Sequence, residues 1–596
     1  MLHVYALRKS TAMTRAARLL PLLLLLSALR VQAASLPAAE AANGMVVTAQ
    51  RLASEAGAAI LRQGGNAIDA AVAVGYAEAV VNPCCGNIGG GGFLVAHLAD
   101  GRDVFLNFRE TAPAAATRTM YLDPAGNVIP GASLHGWRAV AVPGTVLGLD
   151  TALARFGTLP RATVMAPAIR LARDGFVLTR FDTDILQRGT AVLRRDPVLA
   201  RVFLRPEGSP LRPGDRLVQP RLAATLAAIM ARGPDAFYRG RIPQAVEAAS
   251  RAGGGIITAA DFANYRVTQS TPLSCSYRGY VFLSAPPPSS GGVTLCELLQ
   301  VLRGYDMRAL GFHSAASVHV MVEAMRHAYF DRNTRLGDPA FVANPVAWLL
   351  SPAHAAAIRA AIGPRATPSL DLTQGTPPHE HAETTHFSVI DKAGNAVTVT
   401  YTLNGGFGAG VTAGDAGFLL NDEMDDFTIK PDAANHYGLV QGEANAIAPG
   451  KRPLSSMAPT IVLHDGRVFL VLGSPGGSRI ITITLETALN VIDYGMAPQQ
   501  AVDAPRLHHQ WLPDEIDAEP FALSPDTQAL LRAMGYRIRE RSPWGACELI
   551  EVAPAEPGDA RPQSAEDDAA ASGSLRAGFY YGANDARRPA GAAIGY

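Results

Sequence analysis

Residues 384–391 read TTHFSVID, and this stretch decides the fold of the 596-residue chain. A turn signal, KAGN at 392–395, separates it from a second stretch of similar composition, AVTVTYTLN at 396–404. Threonine, valine and aromatic residues that alternate along two short runs around a Gly-Asn turn are typical of paired β-strands. The sequence therefore predicts a β-hairpin directly after Thr384, with strands at residues 385–391 and 396–404.

One face of this hairpin is rich in polar side chains. Because successive side chains of a strand point to opposite faces, alternation assigns seven residues to the polar face. They are Thr384, His386, Ser388, Thr398, Thr400, Thr402 and Asn404. Threonine is favoured in strands whatever its role, so alternation alone favours a solvated face of an ordinary sheet.

The residues before the hairpin have the composition of a linker. Residues 363–383 hold four prolines among Thr, Ser, His and acidic residues, so we expect a mobile segment of which little is buried. His379, Glu380 and His381 lie within it, but they lack the HExxH helix of a zinc site. Since a flexible linker is also a poor cage for a metal, we expect no metal site.

The first part of the chain is mainly helical by pattern. Residues 67–81 predict an almost wholly apolar and therefore buried helix, and helical patterns dominate residues 145–359. The glycine-rich run at 86–92 permits a close approach between backbones. Strand patterns at 93–97 and 104–108 predict a second hairpin directly after this run.

Composition and charge exclude several classes of protein. Lys plus Arg and Asp plus Glu both number 52, and no basic tract is long enough to follow a phosphate backbone, so we expect no nucleic-acid partner. The five cysteines are odd in number and form no CxxC pair, which disfavours a disulfide framework or a zinc cluster. One isolated bridge would fit an oxidising compartment.

The N-terminus has the pattern of a secretory signal. Arg15 and Arg18 precede an apolar run at 19–29, and small residues follow it, so we assign residues 1–34 to a signal peptide. The apolar run is about half the ~20 residues that a membrane span needs. We therefore expect a periplasmic or secreted protein with no membrane segment after signal removal.

The string at 384–391 also resembles the autocleavage site of the γ-glutamyltransferases, which are N-terminal-nucleophile hydrolases. Further blocks resemble this family and follow the family's order. They are FRETAP at 108–113, AVPG at 141–144, TYTLN at 400–404, NDEMDDF at 421–427, PLSSM at 453–457, GSPGGSR at 473–479 and the C-terminal residues 583–596. Many blocks in one order are more specific than any single block.

The resemblance implies a fold and a division of the chain. The implied fold is a mixed α/β (α+β) structure, the four-layer αββα sandwich of N-terminal-nucleophile hydrolases, built from two chains that are cut from one precursor. Cleavage between Glu383 and Thr384 would give a large subunit, residues 35–383, and a small subunit, residues 384–596. Both would contribute to one core and remain together as a heterodimer.

The resemblance also implies a mechanism. Cleavage would give Thr384 a free α-amine beside its own hydroxyl, and an amine with a pKa near 8 suits a general base. Thr384 would attack γ-glutamyl amides such as glutathione and pass the glutamyl ester to water, an amino acid or a dipeptide. Thr402 would support Thr384, and Gly476 and Gly477 would offer N–H donors to the oxyanion. No cofactor is implied.

Five further residues would recognise the α-carboxylate and α-ammonium of the glutamyl group. Arg109 would hold the carboxylate through two parallel hydrogen bonds, a geometry that lysine lacks. The hydroxyl groups of Ser455 and Ser456 would add bonds to the same carboxylate. Glu423 and Asp426 would hold the ammonium group, since each has the opposite charge.

The family pattern also assigns a role to the surroundings of this pocket. Asn404 would assist at the ammonium group, and Tyr437 is the lid tyrosine expected within residues 432–442. The chain departs from common members of the family at Cys84-Cys85, before the glycine run, and at Gly405-Gly406, where bulkier residues are usual. The second departure borders the pocket and concerns the choice of acceptor.

Two alternatives remain beside this interpretation. A β-lactam acylase of the same superfamily would accept a glutaryl chain, which has no α-ammonium for Glu423 and Asp426 to bind. An inactive periplasmic protein that binds γ-glutamyl compounds would remain uncleaved before Thr384. The chain contains neither the GxSxG motif of α/β-hydrolases nor the GxxxxGK[ST] phosphate-binding loop.

Overall fold

The computed structural model describes residues 35–371, 384–412, 414–553, 575–576 and 578–596. The signal peptide assigned to residues 1–34 lies outside these ranges. The cleavage-site residue Glu383 and the linker from residue 372 onward lie outside them as well. Within the described ranges, no helix combines the length and the apolar character that a membrane crossing requires.

The strands of the described residues are short and numerous. They are β1 Ala39–Ala41, β2 Gly44–Thr48, β3 Gly91–His97, β4 Asp103–Phe108, β5 Phe176–Val177, β6 Arg216–Leu217, β7 Thr268–Ser270, β8 Leu273–Tyr277, β9 Tyr280–Ser284, β10 Thr385–Asp391, β11 Ala396–Thr402, β12 Thr460–His464, β13 Arg467–Leu472, β14 Leu507–His508, β15 Ile516–Ala518, β16 Ile538–Glu540, β17 Leu549–Val552, β18 Tyr580–Ala583 and β19 Ala592–Gly595.

The helices lie mainly between β4 and β10 in the chain. They are α1 Arg51–Arg62, α2 Ala67–Val81, α3 Thr145–Phe156, α4 Arg161–Asp174, α5 Arg180–Leu193, α6 Pro197–Phe203, α7 Pro220–Arg232, α8 Asp235–Tyr238, α9 Arg241–Ala252, α10 Ala259–Asn264, α11 Gly291–Leu302, α12 Met307–Leu310, α13 Ala315–Arg335, α14 Val346–Leu349, α15 Pro352–Ala361, α16 Ile480–Ile492, α17 Pro498–Asp503 and α18 Pro525–Met534.

Two seven-stranded sheets carry the fold, and neighbouring strands in both run antiparallel. The first sheet has the order β1-β18-β17-β13-β12-β9-β8, and the second has the order β19-β2-β10-β11-β3-β4-β7. The hairpin of β10 and β11 lies in the middle of the second sheet, between β2 and β3. Strands from before and after residue 383 therefore hydrogen-bond to each other within one sheet.

The two sheets pack face to face and helices cover both outer faces. Buried side chains that include Val95, Leu283 and Val471 fill the space between the sheets. Apolar side chains of α1 to α4 cover the second sheet, and those of α11, α13 and α16 cover the first. This order of layers confirms the predicted four-layer αββα sandwich.

The polar face of the hairpin is buried between the sheets. The strand register pairs His386 with Thr400 and Ser388 with Thr398, as alternation predicts. All four side chains are fully buried, and Ser388 Oγ donates a hydrogen bond of 2.9 Å to the carbonyl of Glu548 beside β17. The expectation of a solvated face is therefore wrong, because the strand pattern does not reveal that a second sheet covers it.

The start of the expected linker is held by the protein. Ser369 is fully buried, its N–H donates to Asp514 Oδ2 at 2.9 Å, and its carbonyl accepts a bond from Trp511 Nε1 at 3.0 Å. The other residues from 363 to 370 are exposed or half-buried, as the composition predicts, so Ser369 is a single anchored point in a stretch of little burial. Composition alone does not show that another part of the chain supplies partners for its backbone groups.

The cysteines form more bridges than the sequence suggested. Cys84 pairs with Cys85, and Cys275 on β8 pairs with Cys296 on α11, while Cys547 is buried without a bridge. The expectation of at most one isolated bridge is wrong. Packing of β8 along α11 brings the second pair together at a Cα–Cα distance of 5.9 Å, which the spacing in the chain does not indicate.

The glycine run before β3 allows two backbones to touch. A Cβ atom added at Gly90 would lie 1.8 Å from the carbonyl oxygen of Thr402, the last residue of β11. The N–H groups of Gly144 and Thr145 also donate to the Gly90 carbonyl, so the loop cannot move away easily. The glycine is therefore required by the packing of the loop on the end of the hairpin.

We predict that Gly90→Ala destabilises the protein, since overpacking against a backbone carbonyl costs about 1–3 kcal/mol. Urea unfolding of the purified protein would measure the loss. Gly363→Ala is the matched control, because a Cβ there meets nothing within 4 Å. Equal unfolding midpoints for the two variants would contradict the assigned role of Gly90.

Candidate active site

Thr384 lies immediately before β10, in the space between the two sheets, and only 5% of it is exposed. The hairpin register places it beside Thr402. Thr402 Oγ1 donates a hydrogen bond to Thr384 Oγ1 at 3.4 Å and accepts one of 2.8 Å from the N–H of Asn404. The bond from Asn404 fixes the Thr402 hydroxyl in a position from which it reaches Thr384.

The residue after Thr384 is anchored on the opposite side of the strand. Thr385 Oγ1 accepts a hydrogen bond from Asn82 Nδ2 at 3.2 Å and lies 3.5 Å from Glu78 Oε2. Burial raises the pKa of Glu78 to about 7. These contacts of Thr385 with the end of α2 hold the start of β10 and therefore the backbone of Thr384.

A buried guanidinium group binds two carboxylates at the same site. Arg109, directly after β4, donates from Nη1 to Glu423 Oε1 and from Nη2 to Asp426 Oδ2, the latter at 2.5 Å. Its Nε donates to the carbonyl of Pro453 at 3.2 Å. Arg109 thus connects the second sheet to two segments of the small C-terminal part of the chain.

One oxygen of this cluster has no protein partner. Glu423 Oε2 is buried and accepts no hydrogen bond from the described residues. Burial raises the pKa of Glu423 well above its usual range, against the opposing effect of Arg109. A buried carboxylate oxygen without a donor is costly, so this position favours a ligand that brings a positive charge or an N–H group.

The two serines lie in a rigid loop on the other side of the cleft. Ser456 Oγ accepts a hydrogen bond from Arg332 Nη2 at 3.0 Å. The carbonyl of Ser455 accepts bonds from the N–H and the hydroxyl of Ser290, at 2.8 and 2.6 Å. Burial lowers the pKa of Arg332 to about 10. Ser290, directly before α11, therefore holds the backbone of Ser455, and Arg332 on α13 positions the hydroxyl of Ser456.

Tyr437 closes the cleft from the side of the expected lid. Its hydroxyl donates to the carbonyl of Asn404 at 2.7 Å, and its side chain is buried. The ring packs so closely on Gly477 that a Cβ there would lie 2.4 Å from it, and Gly477 has a φ of +56°. Glycine at 477 is therefore needed for the lid tyrosine to reach this position.

These groups surround one cleft of about 280 Å³, a volume that includes its open mouth. Its lining residues are Arg109, Thr384, Thr402, Asn404, Glu423, Asp426, Tyr437, Leu439, Ser455, Ser456, Met457, Gly477 and Ile480. The sequence analysis named eleven site residues that lie within the described ranges. Ten of them are among these lining residues. The exception is Gly476, which precedes Gly477 at the start of the turn that leads into α16.

Sequence reasoning missed three apolar lining residues and one cation. Leu439, Met457 and Ile480 line the cleft without a chemical motif of their own, although each lies within or beside a block that was singled out. Arg332 lies near the end of the long helix α13, where nothing in the local sequence indicates its contact with Ser456. Only the packing of α13 on the serine loop reveals it.

The arrangement defines a class of enzyme. A threonine begins a central strand, meets a second threonine on the neighbouring strand and faces a cleft between the sheets of an αββα sandwich. An N-terminal nucleophile needs such a position, since its α-amine must lie beside its own hydroxyl. Fold and site together are those of an N-terminal-nucleophile hydrolase.

Comparison with known proteins gives the family. The family model of gamma-glutamyltranspeptidase matches residues 53–592. The glutathione hydrolase proenzyme of Pseudomonas sp. (strain A14) is 54% identical over 567 residues, which cover 95% of this chain and 96% of that protein. The glutathione hydrolase proenzyme of Escherichia coli (strain K12) is 48% identical over 517 residues, with 86% and 89% covered. This chain belongs to the γ-glutamyltranspeptidase family.

A solved structure supports the same fold. The crystal structure of cephalosporin acylase from Bacillus halodurans matches with a TM-score of 0.79 at 26% identity, and covers 95% of this chain and 98% of that one. The similarity extends over nearly the whole of both chains. This chain and the cephalosporin acylase therefore share one fold.

We predict that Arg109→Lys lowers the free energy of unfolding by about 3 kcal/mol, because a lysine cannot bind two separated carboxylates and leaves one buried and unpaired. Urea unfolding near neutral pH would measure the change. Arg102→Lys is the control, since Arg102 forms an exposed pair with Asp100 on the turn after β3 and should show no measurable effect. A loss of the same size in both variants would contradict the role of Arg109.

Proposed function

We propose that this protein is a self-cleaving γ-glutamyltransferase and glutathione hydrolase that uses Thr384 as its nucleophile. The observation that carries the proposal is the pairing of charges beside this threonine. Arg109 offers a cation to an α-carboxylate, while the carboxyl oxygens of Glu423 and Asp426 offer acceptors to an α-ammonium. A γ-glutamyl group carries both charges at one end and its reactive carbonyl at the other.

Maturation would begin with the Thr384 hydroxyl. Its oxygen attacks the carbonyl carbon of Glu383, and the peptide nitrogen of Thr384 leaves with a proton, so that an ester replaces the amide. This shift frees the α-amine of Thr384, and water then hydrolyses the ester to give the carboxylate of Glu383 and the free hydroxyl of Thr384. The hydrogen bond from Thr402 supports this step, because it orients the attacking oxygen.

Turnover would repeat the same chemistry on a substrate. The α-amine of Thr384 takes the proton of its own hydroxyl, and the oxygen attacks the γ-carbonyl. The leaving amine receives that proton, and a γ-glutamyl ester remains on Thr384. Water releases glutamate from it, or an amino acid or dipeptide takes the acyl group. The N–H groups of Gly476 and Gly477 are the proposed oxyanion donors, each worth about 3 kcal/mol in the transition state.

Substrate binding would exchange one set of ion pairs for another. The α-carboxylate of the substrate replaces Glu423 and Asp426 as the partner of the Arg109 guanidinium. The α-ammonium then pairs with these two carboxylates. The unpartnered Oε2 of Glu423 supports this exchange, since it is already free to accept a bond. The hydroxyl groups of Ser455 and Ser456 complete the carboxylate site.

The two products of cleavage would remain associated. Strands β10 and β11 from the proposed small subunit, residues 384–596, lie between β2 and β3 from the proposed large subunit, residues 35–383. Further strand pairs join the two parts, namely β1 with β18, β9 with β12 and β2 with β19. Separation would break all five rows of backbone hydrogen bonds and expose the apolar surface between the sheets. We further propose removal of residues 1–34 and a periplasmic or secreted location for the heterodimer.

The acylase alternative fits the charges less well. Cephalosporin acylase from Bacillus halodurans shares the fold, but a glutaryl chain would leave Glu423 and Asp426 without a cation other than Arg109. The same carboxylates that favour a γ-glutamyl group would then compete with the ligand for the guanidinium. An inactive binding protein is also disfavoured, because it would not need the contact between Thr402 and Thr384.

Thr384→Ala should remain a single chain and be inactive, because it has no hydroxyl to attack residue 383. Thr384→Ser keeps a hydroxyl and should still cleave, at a lower rate. A denaturing gel and mass spectrometry of both purified variants would show this. Cleavage of the alanine variant between residues 383 and 384 would contradict the proposed nucleophile.

Asp426→Asn should reduce kcat/KM for γ-glutamyl-p-nitroanilide by about 10- to 100-fold, the worth of one hydrogen bond to a charged group. Activity on glutaryl-p-nitroanilide, which has no ammonium group, should not fall. The matched control is Asp425→Asn, whose side chain bonds to Ser133 and to the N–H of His436 outside the cleft. An equal fall on both substrates would argue against ammonium binding at Asp426.

A further inference from the structure

Three helices bring a histidine and two carboxylates together away from the cleft. Glu297 lies on α11, Asp331 on α13 and His354 on α15, and their ligand atoms all lie within 4.8 Å of one another. His354 Nε2 is 3.2 Å from Glu297 Oε1 and 3.0 Å from Asp331 Oδ2. All three side chains are at least nine-tenths buried, and none of them lines the proposed active site.

The neighbours of this cluster hold the ligand atoms in place. Arg335 Nε binds the other oxygen of Asp331, Oδ1, at 2.5 Å, and this leaves Oδ2 directed toward His354. The indole ring of Trp348 lies against the imidazole of His354, with ring centroids 4.0 Å apart. Outer partners that fix a carboxylate and an imidazole in this way are typical of metal sites.

The distances between the nitrogen of His354 and the two carboxylate oxygens suit a bound metal ion better than a single hydrogen bond. Imidazole nitrogen and carboxylate oxygen bind Zn²⁺ at about 2.0–2.2 Å, so neighbouring ligands of a tetrahedral ion lie about 3.3 Å apart. The two distances from His354 Nε2 differ from this value by only a few tenths of an ångström. One N–H of His354 cannot donate well to two carboxylates at once, whereas an ion between the three groups binds all of them.

A second histidine lies close to the same point. His327 precedes Asp331 by four residues on α13, a spacing that places two side chains on one face of a helix. Its Nε2 is buried and has no hydrogen-bond partner among the described residues. Because His327 shares a helix face with Asp331 and its Nε2 is unpartnered, it is a candidate for a further ligand.

We propose that Glu297, Asp331 and His354 bind a divalent transition-metal ion, with His327 or water as a further ligand. One or two imidazoles with two carboxylates suit Zn²⁺, which binds such sites more tightly than Mn²⁺. The ion has a structural role, because it fastens α15 to α11 and α13. Asp331 is followed by Arg332, which bonds to Ser456. The ion therefore also stabilises the part of α13 that contacts the loop of Ser455 and Ser456.

The test uses the untagged full chain in its mature form. Protein is treated with EDTA, incubated with a small excess of Zn²⁺ or Mn²⁺ and freed of unbound metal by gel filtration. Elemental analysis should then find about one equivalent of Zn²⁺, and the unfolding midpoint should rise with Zn²⁺ concentration, as binding to the native state requires. Absorption spectroscopy at the zinc edge should show imidazole and oxygen ligands without sulfur.

Two variants and one control locate the ion. His354→Ala and the nearly isosteric Glu297→Gln should each weaken Zn²⁺ affinity about 100-fold. In both variants the unfolding midpoint should no longer rise with Zn²⁺ concentration. His97→Ala, which removes a histidine paired with the single carboxylate of Asp103, should bind Zn²⁺ like the unchanged protein. The proposal is overturned if the unchanged protein retains no Zn²⁺. It is also overturned if Glu297→Gln folds and binds Zn²⁺ with undiminished affinity.

Discussion

The register of the hairpin formed by β10 and β11 is the constraint on which the site depends. A shift by one residue would turn every side chain of a strand to the opposite face. Val397 and Val399 would then leave the apolar layer beneath the helices, and Thr384 would turn away from the cleft. Burial of these valines against the helices therefore selects the observed register. Pairing with β2 and β3 on either side holds it.

Burial of charge is the second feature that organises the molecule. Arg109 is fully buried, and its position is stable because Glu423, Asp426 and the carbonyl of Pro453 use its donors. Removing water from these groups strengthens each electrostatic contact, while an unpaired charge there becomes costly. Tyr437 lines the same cleft and is itself buried, so the charged groups lie among side chains with little exposed surface.

Local pattern predicted elements of the fold, and the resemblance to the family predicted the site residues. The bounds of β10 and the buried helix α2 agree with the residues predicted from the sequence, and ten of the predicted site residues meet in one cleft. The failures share one cause. The burial of Thr398 and Thr400 and the bridge between Cys275 and Cys296 both depend on segments that are separate in the chain. Local composition contains no information about such partners.

The sequence by itself determined the strand alternation, the glycine run and the chemical types of the reacting groups, because these are properties of neighbouring residues. The tertiary structure alone decided that the polar face of the hairpin meets a second sheet, that Arg332 reaches Ser456, and that three helices bring Glu297 and His354 together. The physical reason is that these contacts arise from packing between elements. Packing is set by the shape and burial of the whole chain, and no short stretch of it specifies the partner.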